Sequence, residues 1–439
     1  MFSDNGGRRQ LSFAKLVHLC SWKELKKMMK NPFYSNSIYI ILSTLVSNGI
    51  GLIFWIVAAQ YYPEDIVGLA TVLISLSGLV VTISRMGLDQ SLVRFFPCGD
   101  QSKIFSTSLI VTTATALLMG AVLIGTTSIW SPTLSGISMV SVVLFLLLVL
   151  FQGGAGIVSN AFIALRKAKF TLTQNIIMGS RLLLLVPFIT FGVVGILLSW
   201  VVSFAISVAI ALYLLFAMKI ELKGVDRSFL KSSFRFSTGN YISGTLSTLP
   251  GLILPILVLN ELGAGASANY YIASSFAAIA SIIPNAFNTS LFVEGSHGED
   301  LKRTAARSLV ASIGLLIPVT LGVYLGGGYL LGLLGKGYAT EGLELLELLL
   351  VACILNIPYY TYYTMAKIQK RMLVLIALGL INCLAVIVLS YFLLNGYGLD
   401  GIGYAWIATN IFEAVIVALA LFRKPSAKSA TPPSTLNGS

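Results

Sequence analysis

The chain is 439 residues long, 56% hydrophobic and only 10% charged, with a mean hydropathy of +0.88. Soluble globular chains carry about 25% charged residues, so a water-soluble fold is excluded unless the apolar surface meets lipid. The net charge of +12 would suit nucleic acid, but the basic residues stand singly or in short groups between apolar runs, which argues against a nucleic-acid partner.

Residues 1–37 hold seven Lys/Arg, and residues 11–30 can form a helix with Leu11, Ala14, His18, Trp22, Leu25 and Met29 near one face. This basic segment is expected to lie on the inner leaflet as an interfacial helix. The first apolar run begins near Ile38, is long enough to span, and is expected to stay as an anchor rather than be cleaved.

About 20 apolar residues cross a bilayer core. Twelve segments qualify, at roughly 38–59, 66–88, 104–128, 137–163, 171–191, 195–217, 237–259, 267–292, 306–328, 343–365, 372–394 and 402–422. With the N-terminus inside, 27 of the 29 Lys/Arg fall in cytoplasmic segments, as the positive-inside rule requires. Only Lys336 lies outside and only Arg181 lies deep within a span. Twelve spans with both termini cytoplasmic follow. The external loops, such as Tyr61–Asp65 and Asn395–Gly401, are too short for a folded domain, and this argues against a membrane enzyme such as a sugar polymerase.

A basic connector, Lys219 to Arg235, sits almost halfway along the chain, with five positive residues against two acidic ones. It divides the chain into an N-terminal six-helix lobe (38–217), a connector (218–236), a C-terminal six-helix lobe (237–422) and a cytoplasmic tail (423–439). The halves share weak similarity. Ala164-Leu-Arg-Lys-Ala-Lys169 precedes the fifth span, and Ala366-Lys-Ile-Gln-Lys-Arg371 precedes the eleventh. Gly195 and Gly401 each stand five residues before a Trp, Trp200 and Trp406. Six spans per half give parallel repeats, which suit alternating access by two lobes.

Arg181 lies ten residues past Thr171, about 15 Å along a helix and so near mid-membrane. A lone arginine there costs at least ~2.5–3.5 kcal/mol, which marks either an anion-binding group suited to phosphate or a structural pair with Asn175 or Ser180. Glu413, near mid-depth in the last span, could couple to a proton or cation, or hydrogen-bond a polar side chain on another helix. Arg85, Asp89, Gln90 and Arg94 close the second span at its cytoplasmic mouth. They could meet an anionic head group or form a gate, or be a snorkelling arginine with an Asp partner. The seventh and eighth spans carry Asn240, Asn269 and Asn285 with Pro250, Pro255 and Pro284, a kinked polar pair suited to lining a cavity or to plain kinked packing. Four cysteines without paired spacing and two histidines offer little for a disulfide framework, and neither a metal site nor a cofactor is expected.

Three pieces, Gly87-Leu-Asp-Gln-Ser-Leu-Val-Arg94, Leu334-Gly-Lys-Gly-Tyr338 and Gly398-Leu-Asp-Gly-Ile-Gly403, combine with the twelve spans to carry a resemblance over residues 32 to 424. The chain resembles the polysaccharide biosynthesis flippase family of the multidrug/oligosaccharidyl-lipid/polysaccharide exporter superfamily. The resemblance implies two six-helix lobes with cavity walls from the first, second, seventh and eighth spans. It implies translocation of a polyprenyl-diphosphate-linked oligosaccharide across the cytoplasmic membrane, by a monomer working among membrane lipids beside glycan polymerase or ligase machinery. Some relatives place cavity arginines in the first span, which here carries no charge. The alternative is a cation-coupled small-molecule exporter on the same fold, which would want acidic residues in the N-terminal lobe; the spans there offer none.

Overall fold

In hydrocarbon an apolar run can satisfy its backbone only internally, so each of these runs folds as helix. The computed structural model describes residues 32–296 and 300–422, and every regular element among them is helical. The basic segment 11–30 and the tail 423–439 lie outside the described residues. In chain order the helices are α1 (Pro32–Tyr61), α2 (Glu64–Ser84), α3 (Leu88–Phe95), α4 (Gln101–Gly125), α5 (Thr127–Trp130), α6 (Pro132–Ser135) and α7 (Met139–Ala164). Then come α8 (Lys169–Met178), α9 (Arg181–Leu185), a 3-10 turn (Ile189–Phe191), α10 (Val193–Ala217), α11 (Arg227–Leu262), α12 (Ala264–Ala280) and α13 (Ile282–Ser296). The remainder are α14 (Leu301–Gly332), α15 (Lys336–Glu341), α16 (Leu343–Leu355), α17 (Ile357–Ile368), α18 (Met372–Tyr397) and α19 (Asp400–Phe422).

Among the described residues, nine helices are individually long and apolar enough to cross a membrane. Two pairs, α12 with α13 and α16 with α17, qualify together across bends of 43° and 42°. These eleven account for all the expected runs except the fifth. Residues 171–191 do not form one helix but break into α8, α9 and the 3-10 turn. The reasons are local. Gly179 lets the chain close on α1, where an added Cβ would come within 2.7 Å of Ile50 Cδ1, and Pro187 cannot donate the bond that would continue α9.

The chain divides into two compact units. The first runs to Ile272 and takes in Gly332–Tyr338; the second comprises Ala273–Leu331 and the chain from Ala339 onward. The division falls within α12, beyond the seventh apolar run. In the first unit α7 is central, packing on α2, α3, α4 and α10, while α11 lies along α2 and α3. A core of Leu88, Leu92, Phe96, Phe105, Ile157, Phe162, Leu215 and Phe229 joins five of these helices. Gln60 and Glu64 hold the returning segment. Gln60 Nε2 donates to the Leu333 carbonyl at 3.4 Å. A Cβ at Gly337 would sit 2.0 Å from the Glu64 carboxylate, so a larger residue there would have to displace that side chain. Beside this carboxylate, burial and the Glu64 charge push the Tyr338 phenol up. In the second unit α18 packs on α19, α16 on α19, and α17 on α13 and α18.

Polar residues at the run ends do structural work. Asp100 accepts from the backbone N–H of Ser102 and Lys103, and Asp226 from Ser228 and Phe229, capping α4 and α11. The connector is not a free tether. Its Glu221 N–H donates to Ser102 Oγ at 3.0 Å, its Asp226 N–H to Thr107 Oγ1 at 2.8 Å, and its Gly224 carbonyl accepts from Ser106 Oγ at 2.8 Å.

Basic residues also end helices. Arg166, Lys219 and Lys370 have φ values of 55°, 64° and 56°. The following N–H reaches back in each case: Lys167 to the Phe162 carbonyl, Ile220 to Leu215 and Arg371 to Ala366. This is the Schellman closure, usually made by glycine. Here a cation sits where the negative end of the helix dipole favours it, at a left-handed cost of ~1 kcal/mol. Arg166 thus corresponds to Lys370, two residues away from the register that the sequence motifs suggested.

A Cβ at Gly68 would lie 1.8 Å from the Ala264 carbonyl oxygen, whereas Gly244 has nothing within 4 Å. Gly68→Ala should therefore lower the thermal melting midpoint by roughly 5 °C. Gly244→Ala should leave the midpoint unchanged or slightly raised, measured on detergent-purified protein by size-exclusion after heating.

Candidate functional site

A guanidinium inside an apolar bundle must find anions, acceptors or aromatic faces. Arg181 opens α9 immediately after the Gly179–Ser180 break and is 8% exposed. It finds aromatic faces. Its Cζ lies 4.1 Å from the centre of the Trp200 ring and 5.6 Å from that of Phe54. Gly51 leaves room beside it, since a Cβ there would meet Arg181 Nη2 at 3.7 Å. Trp55 extends the frame, with its ring 5.2 Å from Phe54, 6.4 Å from Trp200 and 4.9 Å from Tyr271. Phe204 stacks on Trp200, with ring centres 5.9 Å apart.

Neither partner suggested by the sequence meets this arginine. Asn175 Nδ2 donates to the Ser43 carbonyl at 3.1 Å, and Ser180 Oγ to Ser203 Oγ at 3.0 Å. Among the described residues no acceptor takes a hydrogen bond from the guanidinium, and its Nε is buried without a partner. The Trp200 indole N–H is likewise buried and without an acceptor. Two donors without acceptors in one aromatic cluster make a setting chemically suited to an anion. Sequence reading found Arg181 but not Phe54, Trp55 or Trp200 as its frame. The available signal was the Phe-Trp pair in a span without charge, with a tryptophan early in the sixth span.

At the end of α2 the chain turns through Met86 (φ 49°) and Gly87 (φ 77°) into α3. The turn is pressed against α11, where a Cβ at Gly87 would lie 2.6 Å from Ser237 Cβ. Tyr241 Oη donates to the Ile83 carbonyl at 2.7 Å. Arg85 is half-buried with an unpartnered Nε, and its guanidinium lies over Gly156, where a Cβ would be 2.6 Å from Nη2. That contact gives the glycine-rich piece of α7 a specific role. Asp89 accepts from the Gln90 N–H at 2.8 Å and, among the described residues, does not pair with Arg85. Arg94 is exposed and stacks 3.9 Å over Phe236. Gln90 is exposed as well. Asn240 is half-buried on α11, Asn269 is fully buried on α12, and Asn285 is exposed on α13 in the second unit.

Glu413 is fully buried on α19. Its Oε2 accepts from Asn382 Nδ2 on α18 at 3.2 Å, the cross-helix bond that the sequence allowed, while Oε1 has no partner. One turn earlier, Asn410 Nδ2 donates to the Ala352 carbonyl at 2.9 Å and Asn410 Oδ1 accepts from Asn356 Nδ2 at 3.0 Å. A polar seam thus runs through the second unit beside the α16–α17 bend.

The family model of the polysaccharide biosynthesis protein matches residues 33–292. No curated protein matches the chain. Solved structures match along nearly its whole length. A multidrug resistance MATE family transporter of the MOP superfamily, in an inward-facing conformation, superposes with a TM-score of 0.71 at 13% identity, covering 88% of this chain and 97% of that one. The lipid II flippase MurJ, in an inward closed conformation, gives 0.69 at 11% identity, covering 88% of each chain. A MOP superfamily transporter from Pyrococcus furiosus gives 0.57 at 14% identity, covering 90% and 96%. The fold is that of MOP superfamily transporters.

Because no carboxylate among the described residues compensates Arg181, replacing it by an apolar side chain of similar length removes a buried charge without orphaning a partner. Arg181→Met should keep or raise the melting midpoint, whereas Trp200→Leu, which strips the charge of its aromatic face, should lower it by roughly 3–6 °C. Thermal unfolding of the two variants and the double variant checks this, and the loss from Trp200→Leu should shrink once Arg181→Met is also present.

Proposed function

The chain belongs to the polysaccharide biosynthesis protein family, and on that premise we propose that it is a flippase for a polyprenyl-diphosphate-linked oligosaccharide in the cytoplasmic membrane. It is a multi-pass membrane protein, and its family and fold are those of transporters. The observation that carries the substrate assignment is Arg181, a buried guanidinium held by Trp200 and Phe54 whose Nε has no hydrogen-bond partner among the described residues. A diphosphate supplies what that donor lacks, in bidentate geometry. Arg85 at the end of α2 and Arg94 on α3 provide a first electrostatic contact for the head group. Asn240, Asn269 and Asn285 supply amides of the kind that hydrogen-bond sugars.

Transport proceeds by alternating access of two six-helix lobes, with the broken fifth run counted as a span and both termini cytoplasmic. The inside-negative potential favours outward movement of the anionic head group by ~2.3 kcal/mol per charge per 100 mV. Glu413, buried with one oxygen unpartnered, is the coupling group, and Asp89 and Gln90 belong to the cytoplasmic gate. The same carboxylate is what a cation-coupled exporter of small molecules would use, so the two readings part on the substrate.

The test is translocation of a labelled polyprenyl-diphosphate oligosaccharide in proteoliposomes at equal amounts of folded protein. Arg181→Met should cut the initial rate at least about tenfold, the cost of one charge-assisted contact, and Arg181→Lys should restore part of it. A wild-type protein that moves no lipid-linked glycan would shift the assignment to the exporter. In the same vesicles Glu413→Gln should abolish stimulation by an imposed proton or cation gradient while leaving gradient-free exchange in place.

A further inference from the structure

The second unit contains a cleft of about 690 Å³ between α14 and the α16 side of the bend, within the size range of small-molecule sites. Its walls are mostly apolar, with Leu321 and Val351 facing it, and Tyr324 stands at its edge, half exposed. Two carboxylates line it, Glu344 and Glu347. They are three residues apart on α16, so they share one face and repel each other. Among the described residues no lysine, arginine or histidine pairs with either. The polar contact made to them is a hydroxyl: Tyr404 Oη donates to Glu344 Oε1 at 3.5 Å. Thr320 also lines the cleft, and its hydroxyl is buried without a partner. The helix that forms the opposite wall, α14, is the least packed of the nine single spans, with 11% of its apolar window buried.

These features specify an occupant. An anion would meet two uncompensated carboxylates. A neutral sugar would leave both charges unneutralised and would lie against apolar walls. A cation attached to an apolar body satisfies both parts, with Tyr324 offering a ring face to the same charge. We propose that this cleft binds an ammonium group carried on an alkyl chain, its charge against Glu344 and Glu347 and its chain along Leu321 and Val351. The site lies wholly in the second unit and does not involve Arg181. The ammonium can come from a dissolved amphipathic amine or from an aminophospholipid of the bilayer.

The experiment uses the full chain in maltoside micelles, titrated by microscale thermophoresis with octyltrimethylammonium and, separately, with octyl sulfate. The amine should bind saturably and the sulfate should not. Glu344→Gln and Glu347→Gln should each weaken the amine about tenfold and the double variant about a hundredfold, while Glu221→Gln, on the exposed connector, should change nothing. Melting midpoints of the carboxamide variants confirm that the cleft is intact. Native mass spectrometry after incubation with equal phosphatidylethanolamine and phosphatidylglycerol separates the sources. Preferential retention of the ethanolamine lipid, lost in the double variant, identifies a lipid ligand; amine binding without such retention identifies a dissolved one. Equal binding of amine and sulfate, amine binding indifferent to both carboxamides, or no binding of either ammonium source would overturn the proposal.

Discussion

The free energy of leaving a polar group unbonded in an apolar surround governs this chain throughout. Long runs answer it with continuous helix. Where a run stops, something local takes the exposed donors and acceptors: Asp100 and Asp226 at helix starts, and the Schellman closures at Arg166, Lys219 and Lys370 at helix ends. Even the basic connector is held in this way, by hydroxyls of the α4 N-terminus. Glycine and proline contribute to the break between α8 and α9.

Against that background of satisfied groups, the unsatisfied ones stand out. Arg181 Nε, Trp200 Nε1, Arg85 Nε and Glu413 Oε1 are all buried, and none has a hydrogen-bond partner among the described residues. Each costs stability where it stands, on the order of 1–3 kcal/mol. Such costs persist where function needs them. In the first unit two of these groups are arginine nitrogens, in an aromatic frame at Arg181 and over Gly156 at Arg85. The second holds Glu413 in its interior and Glu344 and Glu347 in a cleft.

The aromatic frame also shows how a membrane interior can hold a cation without neutralising it. A carboxylate beside Arg181 would compete with any anionic ligand. Ring faces stabilise the charge by its quadrupole interaction and leave the N–H groups available. Phe54 and Trp200 at 5.6 and 4.1 Å provide this, and glycine at position 51 keeps the space beside Nη2 open.

Composition alone excluded a water-soluble fold, because 10% charge cannot cover a soluble surface, and the repeated apolar runs made the chain a multi-pass membrane protein. The spacing of apolar runs set eleven of the expected spans to within a few residues, since bilayer thickness dictates their length. Arg181 and Glu413 were legible as well, because a lone charge in an apolar run is visible without coordinates. The break at residues 179–180, the docking of the connector on α4 and the return of Gly332–Tyr338 to the first unit were not, because they depend on close approaches between segments far apart in sequence. Whether Arg181 is neutralised or merely framed was likewise decided only by tertiary packing: the partners on offer locally, Asn175 and Ser180, turn to Ser43 and Ser203 instead, and the groups that hold the guanidinium come from α1 and α10. Sequence distance carries the cost of a charge, but only the fold brings together the faces that bear it.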